Sequence, residues 1–263
     1  MKSSVTSFRA RRLIYLRDLF QELVARDIKL RYKRSVLGIA WSLLVPLAQL
    51  LVLYFVFRLV LPLNIPNYTT YLFTGILPWT WFHSSLLAAS GTIVDNPELV
   101  KQAGFPVAIL PTITVMSHLV HFLLALPILF IFLFFDGYHL TSAILALPLV
   151  IMLQFILTLS LAYLVAPFHV RFRDTNYLLG ILLMLVFYLT PVFYDAATIP
   201  ARYQMLYRLN PMVHLLGAYR HILIQGELPN LQSLLVLYAI SAGLLSLGYM
   251  VFMRAHYRFV EEL

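Results

Sequence analysis

Six stretches of this chain carry no charged side chain: 35–57, 59–94, 102–135, 137–170, 175–194 and 228–253. A helix needs about 20 apolar residues to cross the hydrocarbon core of a bilayer. Each stretch is long enough for one crossing, and the longer ones for a crossing plus a turn. The pattern predicts spans near 37–61, 69–90, 107–134, 142–167, 176–194 and 231–253. The short alternating segments of a membrane β-barrel are missing. The fold class is therefore an all-α polytopic membrane protein with six transmembrane helices, divided into a cytoplasmic amphipathic segment, 1–34, and a six-span domain, 35–263.

Four segments lie outside the spans. In 11–33, Leu13, Leu16, Phe20, Leu23 and Val24 recur at helical spacing, and Glu22/Arg26 and Asp27/Arg31 are acid-first pairs four residues apart. This predicts an amphipathic helix in the inner interface, acting as a lipid anchor or as a docking surface for a cytoplasmic partner. The loop "DNPELVKQAGFP" over 95–106 predicts a capped cytoplasmic helix, with Asn96 as N-cap, Pro97 and Glu98 in its first turn, Gly104 as the left-handed stop and Pro106 beyond it. Such a helix is either a connector or a lever that transmits force. In "HVRFRDTN", Arg171 and Arg173 are inner anchors, and Asp174 and Thr175 are candidate caps for the fifth span. The outer segment 195–229 has helix starts at Pro200 and Asn210-Pro211 and a stop at Gly226. Its two helices, of about 9 and 15 residues, are too short to span. They either re-enter the membrane under protein cover or lie on the outer leaflet.

Charge orients the spans. Of 19 Lys and Arg residues, ten precede Ser35. With the N-terminus inside, Lys101, Arg171, Arg173, Arg254 and Arg258 join them, while Arg202, Arg208 and Arg220 fall outside and Arg58 snorkels. This is a positive-inside distribution with both ends cytoplasmic. It accounts for the formal charge of +8 without nucleic acid. Composition agrees, at 61% hydrophobic and 11% charged. There is no cysteine, so no disulfide or thiolate metal site is available. The first 34 residues lack the apolar core of a signal peptide.

Familiar catalytic patterns are missing. No Gly-Lys pair occurs, so no phosphate-cradling P-loop can form on this chain. His118 and His121 share a helix face with no carboxylate near in sequence, which favours packing or interhelical hydrogen bonding over metal. The predicted spans hold no Asp, Glu or Lys, and Arg58 lies only at a rim. This counts against an ion-coupled transporter. Aromatics cluster at "PWTWF" (78–82) and "FYLTPVFY" (187–194), where they serve either the interfacial belt or a sugar-stacking channel.

The stretches "RDIKLRYKRSVLGIAWSLLVPL" (26–47), "LFTGILPWTWF" (72–82), "NPELVKQAGFPVAILP" (96–111), "VRFRDTNYLL" (170–179), "LTPVFYDAATIP" (189–200) and "LNPMVHLLGAYRHIL" (209–223) resemble the permease subunit of ABC-2 type polysaccharide exporters, which move lipid-linked O-antigen, capsule or teichoic acid. The resemblance covers nearly the whole chain. It implies a homodimer in the cytoplasmic (inner) membrane above two copies of an ATPase subunit that binds ATP and Mg²⁺, with no cofactor on this chain. It implies an interface helix over 11–33, a coupling helix over 95–105 and outer gate helices within 198–226. The ATPase-coupling residues it implies are Arg26, Asp27, Asp95, Asn96, Pro97, Glu98 and Lys101. The cargo would be a glycan on undecaprenyl diphosphate, admitted at a doorway of Arg31, Tyr32, Lys33, Arg34, Leu37 and Gly38. Candidate channel and gate aromatics are Trp79, Trp81, Phe82, Tyr188, Phe193, Tyr194, Tyr203, Tyr207 and Tyr219. Two other readings are an ABC-2 permease for a drug or simple lipid, and a polyprenol-linked membrane transferase. The second would need converging acid/base residues, whereas Asp136, Asp195 and Glu227 are isolated in sequence.

Overall fold

The computed structural model describes residues 2–33, 35–60, 63 and 65–263, with side chains from Arg17 onward except Leu206. Arg34 of the expected doorway lies outside the described residues. Every regular element described is helical: α1 (Lys2–Arg31), α2 (Gly38–Val60), α3 (Tyr68–Gly91), α4 (Pro97–Val100), α5 (Ile109–Phe135), α6 (Ser142–Arg171), α7 (Thr175–Leu189), α8 (Ala201–Arg208), α9 (Pro211–Arg220) and α10 (Leu231–Ala255). α9 continues through a π-helical turn, His221–Gln225, and the chain end adds a last turn, Phe259–Glu262.

Among the described residues four helices, α2, α5, α6 and the α10 segment to Glu262, are long and apolar enough to cross a membrane. α3 is long enough, at 24 residues, yet less apolar. The reason is its position. It is the central helix, packed on α2, α5, α6, α7 and α9, so Thr70, Thr74, Ser85 and Ser90 are buried against protein rather than lipid. The hydroxyls of Thr70, Thr74 and Ser90 bond within the bundle, as Ser90 Oγ does to Leu87 O at 2.8 Å. Gln154 of α6 adds a cross-link, its Nε2 donating to Pro78 O at 2.8 Å.

α7 is shorter than the predicted 176–194. It stops at Leu189 because Pro191 disfavours helical backbone at Thr190, which is extended (ψ 134°). Residues 190–194 then run outward along α3, from beside Gly75 to beside Tyr68.

α6 and α10 make the most extensive helix pair. Gly248 allows it, since a Cβ there would lie 2.5 Å from Ser160 O. Small residues let membrane helices approach this closely. α2 and α7 lie loosely on the outside instead. On α7, Tyr177, Leu178, Ile181, Leu182 and Leu185 are all more than half exposed.

Candidate functional site

The end of the bundle at which the first span starts is organised by α1. Its half-buried face, Leu19, Phe20, Leu23, Val24, Asp27 and Ile28, repeats at helical spacing and lies on α5. The expected Asp27–Arg31 pair forms, at 3.5 Å, while Glu22–Arg26 does not close. α1 ends at Arg31, and the chain turns into α2 through Gly38, whose φ of +52° suits glycine. The expected doorway residues Leu37 and Gly38 lie at this turn. Leu37 is exposed.

Arg31 and Tyr32 meet the two histidines of α5. Arg31 Nη1 lies 2.7 Å from His118 Nε2, and His118 Nδ1 lies 2.8 Å from Thr114 O. A carbonyl only accepts, so Nδ1 carries the proton and Nε2 accepts from the guanidinium: His118 is neutral. Tyr32 Oη is 3.3 Å from His121 Nε2. Burial pushes the Tyr32 phenol above its usual range, partly offset by Arg31. These groups line a cavity of about 230 Å³ with Trp41, Ser42, Thr80, Trp81 and Ser84. Lys33 is exposed and lines no part of it. The interhelical bonding expected of His118 and His121 is thus present, with α1 and the turn after it as partners.

Below, the predicted helix over 95–106 is shorter than expected. α4 is one turn, and successive turns closed by Gln102 N to Leu99 O (3.2 Å) and Phe105 N to Gln102 O (3.1 Å) replace the rest. Asn96 does not cap with its side chain. Its Nδ2 donates to Thr92 O at 2.9 Å. Gly104 has the expected left-handed backbone, φ +80°. Arg26, Asp27 and Asn96 line a common crevice with Thr92 and Thr114. Asp95, Glu98 and Lys101 are exposed, Pro97 is half-buried, and Val100 anchors the turn inward. The turn Phe259–Glu262 touches α4. Nor does Asp174 cap α7. Its backbone is already helical, and Thr175 Oγ1 donates to Phe172 O at 2.6 Å.

At the opposite end of the bundle, α8 and α9 form a hairpin in which α8 is largely exposed and α9 is packed inside. α9 packs on α3, α6 and α10. Its first residues, Pro211 and Met212, share a cavity of about 520 Å³ with Phe82 and Leu86 of α3. Phe82 is about 21 Å along α3 from Tyr68, at 1.5 Å per residue. α9 then runs outward to Gly226, φ +69°, whose carbonyl accepts from Thr141 Oγ1 at 2.7 Å. Asn210 closes the tip. Its Oδ1 accepts from Met212 N at 3.0 Å, and its Nδ2 donates to Thr190 Oγ1 at 2.8 Å.

Arg220, which the sequence offers only as an outer cation, is 8% exposed. Its Nη1 and Nη2 donate to Pro191 O (2.7 Å) and Val192 O (2.8 Å), and it lies 3.7 Å from the Tyr71 ring centre. The next two carbonyls, of Phe193 and Tyr194, accept from Tyr68 and Tyr71 at 2.8 and 2.9 Å. Non-helical backbone in a membrane needs such cover. A cation inside the apolar run "LLGAYRHILI" was the available signal.

The expected channel and gate aromatics divide. Trp79, Trp81, Phe82 and Tyr219 are at most 4% exposed. They pack inside the bundle, as in the Trp81–Phe122 stack at 5.1 Å and the Tyr219–Phe122 pair at 6.1 Å. In the single chain they show almost no exposed surface, although Trp81 and Phe82 each line a cavity. Tyr188 and Tyr203 are exposed. Phe193, Tyr194 and Tyr207 are half-buried, with Tyr194 Oη donating to Tyr207 Oη at 3.0 Å. The outer carboxylates have local bonds. Asp136 accepts from Thr70, and Asp195 Oδ1 from Ala197 N at 3.0 Å. Among the described residues no three His, Asp or Glu side chains gather as a metal site would require.

Residues 18–224 match the family described as ABC-2 type transporter. The chain is 36% identical over 256 residues to the O-antigen export system permease protein RfbA of Myxococcus xanthus, covering 96% of this chain and 98% of that one. It is 34% identical over 250 residues to the protein of the same name from Klebsiella pneumoniae, covering 95% and 96%. It is 24% identical over 211 residues to the polysialic acid transport protein KpsM of Escherichia coli, covering 78% and 81%.

Proposed function

The chain belongs to the ABC-2 type transporter family, and from that premise we propose that it is the membrane permease of an ATP-driven polysaccharide exporter. The observation that carries this reading is the end-to-end similarity to two O-antigen export permeases. ATP and Mg²⁺ belong to a separate ATPase subunit, in keeping with the missing Gly-Lys pair.

Six crossings place both ends in the cytoplasm, across the inner membrane. α3 is the second. α7 is the fifth, its 15 residues giving about 22 Å and the extended residues 190–194 completing the path. The α8–α9 hairpin re-enters from outside and closes the outer end. Two copies pair through α2 and α7, whose apolar faces are bare in the single chain. The exposed carboxylate of Glu98 and ammonium of Lys101 dock on the ATPase, and α4 passes its motion to α1 through the Arg26–Asp27–Asn96 crevice. The cargo is a glycan on undecaprenyl diphosphate, admitted beside the Leu37-Gly38 turn. Its length calls for a path between two protomers rather than an enclosed pocket.

The test is replacement. In a cell whose own O-antigen permease is deleted, this chain and its ATPase should restore surface glycan when the matching lipid-linked glycan is made. Normal membrane insertion and ATPase assembly without surface glycan, together with export of a drug or simple lipid, would reject the polysaccharide reading.

A further inference from the structure

The last turn of α6 and the end of the α10 segment meet around a cavity of about 330 Å³. Three arginines line it: Arg171 at the end of α6, Arg254 at the end of α10, and Arg258 in the turn that follows. Helix packing brings the first two to one level. Gly248 of α10 sits against Ser160, Tyr163 and Leu164 of α6, and the Tyr163 ring meets that of Phe252 at 5.3 Å. The two helices run the same way. Arg254 comes six residues after Gly248 and Arg171 seven after Leu164, so both lie about 9–10 Å further along.

Cations at helix ends ordinarily answer the helix dipole and call for no ligand. These go beyond that. They converge from two helices on one space, with Glu262 as the only carboxylate among the lining residues. None of the three closes an ion pair with Glu262 or with any other described carboxylate. The one ion pair among the described residues is Asp27–Arg31. Like charges gathered in this way repel, and an anion between them relieves the repulsion.

The surroundings select the anion. Twenty residues counted from Leu231, about the length of a crossing, end at Met250. Arg254 is about 6 Å further on, within a headgroup layer about 5–8 Å deep on each side of the hydrocarbon. Leu247, Val251, Arg254 and Arg258 follow one another on one face of the helix at spacings of three or four. Leu247 is exposed, and Val251, Pro167 and Phe259 form the apolar wall of the cavity. An apolar track therefore leads up to a cluster of cations. An amphiphile fits this order, with its anionic head among the arginines and a chain along Leu247 and Val251. A free phosphate leaves the track unused, and an acidic peptide has no chain to lay on it.

We propose that the ends of α6 and α10 form a binding site for an anionic phospholipid of the inner leaflet. Arg171, Arg254 and Arg258 hold its phosphate, and one acyl chain lies along Leu247 and Val251. This lipid is a fixed part of the assembly and not its cargo. The turn Phe259–Glu262 closes the cavity and touches both α4 and α6, so the bound headgroup braces the turn on which α4 rests. The site rests on the export reading only for placing this end of the helices in the cytoplasmic leaflet.

The test is native mass spectrometry of the permease–ATPase complex, comparing retention of phosphatidylglycerol and phosphatidylcholine from mixed nanodiscs. Phosphatidylglycerol should be preferred. Arg171→Gln, Arg254→Gln and Arg258→Gln should each lower the preference about fivefold, and the triple variant about tenfold or more. Arg254→Lys should keep most of it. Arg173→Gln is the control, because Arg173 is as exposed as Arg171 but lines no part of the cavity; its preference should stay within about twofold. Glycerol phosphate, a headgroup without chains, should not displace the lipid. Unchanged preference in a well-assembled triple variant overturns the site, as does displacement by glycerol phosphate. An Arg173→Gln effect equal to that of Arg254→Gln would mark general surface attraction and overturn it too. So would lost ATPase copurification in the triple variant with phosphatidylglycerol preference intact, which assigns the arginines to the partner. If the triple variant does not assemble, the single variants and Arg254→Lys carry the same reading. A complex that exports glycan without preferring phosphatidylglycerol overturns this site alone. A complex that prefers it yet exports no glycan in the replacement experiment rejects the export reading and leaves the site standing.

Discussion

Arg220 lies over the ring of Tyr71 at 3.7 Å while its two terminal nitrogens hold the carbonyls of Pro191 and Val192. One side chain from the outer hairpin thus fastens the chain leaving α7 onto α3. Arg220→Gln shortens the reach and removes the charge, and Arg220→Lys cannot fork to two carbonyls. Each should cost about 1–3 kcal/mol, seen as a lower Tm in detergent. Arg202→Gln, on exposed α8, should leave Tm within about 1 °C.

Gly248 and Gly243 sit on the same helix in opposite surroundings. A Cβ at Gly248 would meet Ser160 O at 2.5 Å, while one at Gly243 meets nothing within 4 Å. Gly248→Ala should push α10 from α6 and destabilise by about 1–3 kcal/mol. Gly243→Ala should be neutral or stabilise by up to about 1 kcal/mol. Thermal unfolding of the two variants side by side tests the α6–α10 contact.

Asn210 both caps α9 and holds Thr190 at the hairpin tip. Asn210→Ala should cost about 1–2 kcal/mol. Asn210→Asp keeps the cap but loses the amide donor, so it should fall between the two. The same ordering should appear in protease sensitivity of the outer segment.

Glu98 and Lys101 are exposed beside the buried Val100. Reversing both charges should leave the fold's Tm unchanged and cut ATPase copurification or transport-coupled hydrolysis several-fold. Normal assembly and normal stimulation would remove α4 from the coupling role.

Much of this architecture was legible in the chain because the signals were local. Pro200, Asn210-Pro211 and Gly226 mark the hairpin helices by cap chemistry. What depends on a distant partner was not legible. Asn96 looks like an N-cap, but its amide prefers Thr92 O. The aromatics of "PWTWF" carry no mark of direction, and all three aromatic rings there turn into the bundle because α3 is enclosed by its neighbours. The pairing of Arg31 with His118 spans 87 residues. Neither local spacing nor composition encodes it, and it appears only once α1 lies along α5.

The central claim is ATP-driven movement of a lipid-linked glycan through a pair of these chains. The most direct measurement is transport in proteoliposomes holding the purified permease–ATPase complex and a fluorescent undecaprenyl-diphosphate glycan on the ATPase side. Added ATP and Mg²⁺ should carry the glycan to the far side, where an added glycosidase can cut it, and Glu98/Lys101 charge reversal should abolish this. ATP hydrolysis in a well-assembled complex, with the glycan still confined to the ATPase side, would contradict it.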